Sequence, residues 1–136
     1  MKQIPVTIEN SNTGLWPSAA LKAIFSEIEV MLNTLIVTGE HSYIDLRGLP
    51  LAPSDLGLLK RILGNGEVHA TVNALGLSYI NETAIPGVWW ITNKNTEEVT
   101  ISEYLEITTL PELLKTQHSD LHRSVSIMHD RLIALD

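Results

Sequence analysis

Three histidines toward the C-terminal end, His118, His122 and His129, stand at i, i+4 and i+11. At about 100° per residue a helix brings all three within about 40° of one another. A His-x-x-x-His pair has the spacing to bind a transition metal, and three imidazoles leave one coordination position open. The same stripe also fits the border between an apolar seam and solvent, where histidine is ordinary. No carboxylate joins it at close spacing, since Asp120 falls on the opposite face. The chain has no cysteine. Disulfides, thiolate catalysis, iron–sulfur ligation and Cys-bound zinc are thereby excluded.

Catalytic patterns are missing as well. There is no Gly-x-Ser-x-Gly elbow, no phosphate-binding loop and no His-Glu-x-x-His helix. Gly64-Asn65-Gly66 has the look of a dinucleotide loop, but it follows a helical pattern and enters a strand-like one. That order is the reverse of what aims a helix N-terminus at phosphate. A triad of Ser78, His69 and Asp45, or a hydrolase site around His69, Glu82 and Asp45, requires those side chains to converge on a deep pocket. The expectation is a protein that is not an enzyme and holds no cofactor.

The elements that must position these residues follow from length and periodicity. With 136 residues, 44% hydrophobic and 18% charged, the chain has the balance of one globular domain. We place a peripheral segment at 1–17 and the domain at 18–136. From Ser18, apolar residues recur at helical spacing through Leu21, Ile24, Phe25, Ile28, Met31, Leu32 and Leu35, with Ser18 as N-cap and Gly39 as the stop. A short strand at Tyr43–Arg47 precedes a second helix that opens at Ser54, between Pro53 and Gly64. Then alternation takes over, with Val68, Ala70, Val72 and Ala74 on one side and Glu67, His69, Thr71 and Asn73 on the other. Further strands are read at 78–85, 88–93 and 99–108, and a last helix starts at Pro111 with a seam of Leu114, Leu121, Val125, Met128 and Leu132. The fold class is α+β: a mostly antiparallel sheet of about five strands, helices packed on one face, in the order α-β-α-β-β-β-β-α.

On that frame five residues are candidates for binding. Trp89 and Trp90 are adjacent in a strand, so they leave opposite sheet faces; they serve either the core or a platform for an apolar peptide. Glu82, Glu103 and Glu106 fall on neighbouring strands, where a carboxylate is either solvated or able to grip an arginine in a forked pair. Asp45 and Arg47 are same-face neighbours with a structural pairing expected, and Gly66 is expected to supply an unusual dihedral. The net charge of −7 excludes a phosphate-backbone binder and suits a basic partner. No stretch approaches the roughly 20 apolar residues of a membrane span, and no secretory signal is legible, so the expected location is the cytoplasm.

Several segments then stand in a telling order: Ile44-Asp45-Leu46-Arg47 with Leu49-Pro50-Leu51, Leu63-Gly64-Asn65-Gly66-Glu67-Val68, Ala74-Leu75-Gly76, Glu82-Thr83, Ile85-Pro86-Gly87-Val88-Trp89-Trp90, and Glu103-Tyr104-Leu105-Glu106-Ile107. This set resembles the C-terminal domain of the HupH/HyaF family of hydrogenase expression and formation proteins, over roughly the last five-sixths of the chain. The resemblance implies a non-catalytic, chaperone-like accessory protein of nickel–iron hydrogenase maturation. It would bind an immature subunit, the iron–sulfur small subunit or its export signal, before twin-arginine export. Other maturation proteins are further expected partners, and a homodimer is left open. Family proteins usually carry another domain ahead of this one. The competing expectation is a nickel-handling factor that uses the His118, His122 and His129 face.

Overall fold

The computed structural model describes residues 18–136; the segment expected to be peripheral, 1–17, lies outside the described residues. Helix α1 (Ala19–Thr38) begins where the Ser18 side chain accepts a hydrogen bond from the Leu21 amide, and ends at Gly39 in the left-handed region. Both ends are therefore set by local chemistry. Leu21, Ile24 and Ile28 form its buried stripe. After β1 (Ser42–Asp45) comes α2 (Pro53–Leu63), whose first turn is tied by Asp55 accepting from the Ala52 amide at 3.3 Å. Four strands then run in series: β2 (His69–Asn73), β3 (Leu77–Glu82), β4 (Val88–Lys94) and β5 (Thr100–Ile107). A 3-10 turn (Glu112–Leu114) leads to α3 (His118–Ala134).

All neighbouring strands are antiparallel, in the order β1-β5-β4-β3-β2. Short links between β2, β3, β4 and β5 make the meander, and β1 closes beside β5. The α+β class and the element order are thus those the periodicity indicates. Helices α1 and α2 cover one face. Their apolar residues meet Ile44, Val88, Trp90, Leu105 and Ile107 in the larger core. A second, smaller core lies on the other face, where Ile80, Trp89 and Ile91 are joined by Ala70, Val72, Tyr104 and Leu114.

Three expectations are corrected by this arrangement. The last helix does not start at Pro111. The chain makes the 3-10 turn there, Leu114 folds back onto the second core, and α3 begins four residues later. Nor does α3 lie on the sheet: none of its residues is buried, so its apolar seam faces solvent. Gly66 is needed for a different reason from the one expected. Its φ is not positive; a Cβ there would stand 2.4 Å from the Thr83 carbonyl oxygen and 2.8 Å from Glu82 Oε1. The positive dihedral belongs to Gly64, with φ 68°.

Candidate functional site

The register places Trp90 opposite Leu105 on the helix-covered face and Trp89 opposite Glu106 on the other. Both indoles are inside, 4% and 6% exposed. Trp89 donates its ring N–H to the Thr108 carbonyl at 3.1 Å, and Trp90 donates to Glu103 Oε2 at 2.8 Å. Lys60 of α2 lies 5.1 Å from the Trp90 ring centroid. Neither ring keeps an open face for a peptide, so the platform role expected of them gives way to packing. The reason is the return of the chain through Thr108 and Leu114, which covers Trp89, while α2 covers Trp90.

The three glutamates are also engaged within the fold. Glu103 accepts from Trp90 and from the Thr92 hydroxyl at 3.2 Å. Glu82 Oε1 accepts the amides of Glu67 and Val68, at 3.1 and 3.3 Å, which holds the loop against which Gly66 is pressed. Glu106 is fully buried. Its Oε2 accepts the Glu112 amide at 3.1 Å and lies 3.6 Å from His41 Nδ1, while Oε1 has no hydrogen-bond partner among the described residues. Tyr43 sits across from Glu106 in the β1–β5 register. Burial, and next the Glu106 carboxylate, push the Tyr43 hydroxyl above its usual pKa; burial is also the first cause of the raised Tyr104. His41 at this cluster was not legible in the sequence, since nothing local links it to Glu106.

The remaining candidates separate in space. Asp45 and His69 lie on opposite edge strands, four strand spacings or roughly 19 Å apart. By register, His69 faces the helix side with Asn81, whereas Glu82, Ser78 and Asp45 face the other. A hydrolase site from these residues is therefore not assembled. Asp45 meets Arg47 through the Arg47 amide at 3.1 Å, and the guanidinium instead donates to the Thr100 carbonyl. His118 and His122 stack edge-to-face with centroids 4.9 Å apart, but His129 lies two turns beyond, about 10 Å along the axis from His122. The helix thus offers a histidine pair, and among the described residues no group of three or more His, Cys, Asp or Glu could hold a metal.

What the sheet does present is an edge. Hydrogen bonds from Glu82 N to Val68 O and from Ala74 N to Gly76 O fix the phase of the β2–β3 ladder. Ala70 and Val72 therefore bond inward to β3, while His69, Thr71 and Asn73 point their backbone N–H and C=O groups outward. Among the described residues no strand pairs with that side, and β2 contains no Pro, Lys or Asp of the kind that blocks edge pairing. The opposite edge is shorter: β1 directs only Tyr43 and Asp45 outward, and Asp45 already holds the Arg47 amide. The alternation at 67–74 made β2 legible as a strand, but nothing in it told edge from centre.

The fold is an open antiparallel meander with helices on one face and an exposed edge. Residues 19–135 match the family model described as HupH hydrogenase expression protein, C-terminal conserved region, and the chain belongs to that family. It is 33% identical over 99 residues to hydrogenase expression/formation protein HupH of Rhodobacter capsulatus, covering 73% of this chain and 36% of that protein. Hydrogenase expression/formation protein HoxQ of Cupriavidus necator is 34% identical over 123 residues, covering 89% and 42% respectively. The solved structure of hydrogenase expression protein HupH from Thiobacillus denitrificans ATCC 25259 superposes with a TM-score of 0.82 at 37% identity, covering 88% of this chain and 99% of that one. The chain thus spans 36% and 42% of the length of these two curated relatives. Among the described residues, no helix is long and apolar enough to cross a membrane.

Proposed function

We propose that this protein is a non-catalytic, chaperone-like factor of nickel–iron hydrogenase maturation that holds an immature subunit, the small subunit or its export signal, as an added strand on β2. The observation that carries the reading is the β2 edge, where His69, Thr71 and Asn73 offer three outward pairs of backbone donors and acceptors. Strand addition recognises extended chain through main-chain hydrogen bonds, so an unfinished protein binds and a folded one does not. The net charge of −7 draws in a basic segment and disfavours an acidic one. Family membership supplies the hydrogenase context. Trp89, Trp90, Glu103 and Glu106 act from behind, keeping β4 and β5 stiff so that the edge is presented as one rigid row. Glu82 fixes the approach to β2 through the Glu67 and Val68 amides.

Thr71→Pro tests this. It removes one outward N–H without touching the ladder to β3, a place where proline is tolerated. In a pull-down with the precursor small subunit, wild type retains the client and Thr71→Pro loses at least tenfold of it, with an unchanged thermal midpoint to within a few degrees. No retention by wild type beside a working positive control removes the client; equal retention by both removes the edge.

A further inference from the structure

We infer that α3 is the dimerisation element of this protein, pairing antiparallel with α3 of a second copy. Its seam reads His118, Leu121, Val125, Met128, Leu132 and Leu135, spacings of three and four in strict alternation. That narrow 3.5-residue repeat belongs to a two-helix seam, whereas a helix lying on a sheet shows a wider stripe. The five apolar members are between 50% and 83% exposed. A 17-residue helix of this composition does not hold itself in water. Val, Ile, Ser, His and Asp are indifferent helix formers, no side chain caps its N-terminus, and none of its residues is buried.

The seam is complementary to itself. When two copies run antiparallel about a point between Ile127 and Ser126, Leu121 meets Leu132 of its mate and Val125 meets Met128, each twice by two-fold symmetry. His118 and Leu135 close the ends. Arg123 and Asp130 fall on the far side from the seam, so they do not enter it. Asp120 and Asp130 balance Arg123 and Arg131, which makes α3 neutral on a molecule of net charge −7. A basic client is drawn to the rest of the surface, while two acidic copies meet with least repulsion along this helix. Direction follows from bulk. Paired helix axes lie only about 8–10 Å apart, too close for two sheet domains at the same end, and the antiparallel arrangement puts them at opposite ends. Ten apolar side chains at roughly 60–120 Å² each bring the contact near the roughly 1,000 Å² that a specific interface needs.

The test is light scattering after size exclusion on the full chain, independent of any client. Wild type should run at about 30 kDa, twice the 15.1 kDa chain. Val125→Glu combined with Met128→Glu should run at the monomer mass, and Arg123→Glu, on the far side, should remain dimeric. Because the chain has no cysteine, oxidative crosslinking reads the direction. Leu121→Cys with Leu132→Cys should give a covalent dimer. Leu132→Cys alone should not, since its two copies would lie about 16 Å apart along the axis, beyond disulfide reach. A monomeric wild type at 100 µM, in order of magnitude, a dimer indifferent to the paired Glu substitutions, or a crosslink from Leu132→Cys alone would each overturn the inference.

Discussion

Glu103 shows how a residue that looks like a ligand-binding group can be absorbed by the fold. It stands in an apolar row with Leu105, and its carboxylate is held there by the Trp90 indole N–H and the Thr92 hydroxyl. Removing it strands both donors, one on a buried ring. Glu103→Ala should therefore lower stability by about 1–3 kcal/mol in urea unfolding, and Glu103→Gln, which keeps an acceptor, by less. A cost within 0.5 kcal/mol, roughly the scatter of a surface change, would show that the indole bond contributes little. The tyrosines make a pH-dependent statement. Burial raises Tyr43 and Tyr104, and Glu106 adds to both, so the folded chain binds these phenolic protons more tightly than the unfolded chain. The sign is fixed: stability is intact below the ordinary tyrosine value of about 10 and falls as pH rises past it. Absorbance titration near 295 nm, about where tyrosinate absorbs, should show both transitions above that of a free tyrosine. Glu106→Gln should move the Tyr43 transition down.

Elements were legible in the sequence where local chemistry decides them. Ser18 and Gly39 bound α1 as read, because a cap and a left-handed stop act within one turn. Alternation put Trp89 and Trp90 on opposite faces, as the register has them. Their burial was not legible, since it depends on Thr108 and Leu114 returning over one face and on α2 over the other. For α3 the periodicity gives an apolar seam, but the sheet expected to cover it does not, because what a seam meets is a long-range property, and the structure shows it bare. The β2 edge was hidden for a similar reason. Strand order is a long-range property, and the same five residues would read alike in the middle of a sheet. Among the described residues no strand pairs with the outer side of β2 and no residue of α3 is buried, and the two proposals rest on these two elements.

At the scale of the molecule, surfaces of different character are kept apart. One sheet face is sealed by α1 and α2, the β2 edge lies at the far side from β1, and α3 leaves the domain after the 3-10 turn. A dimer through α3 would carry two β2 edges, so one assembly could hold two extended segments of a client or two clients. On the proposed reading, the net charge of −7 favours a basic chain over an acidic one. Strand addition on β2 is read most directly by amide hydrogen exchange on this protein with and without the precursor small subunit. The amides of His69, Thr71 and Asn73 should exchange at least tenfold more slowly in the complex. Those of Ala70 and Val72, already bonded to β3, should change little. A complex that leaves the three outward amides exchanging as before, with protection appearing elsewhere, would contradict it.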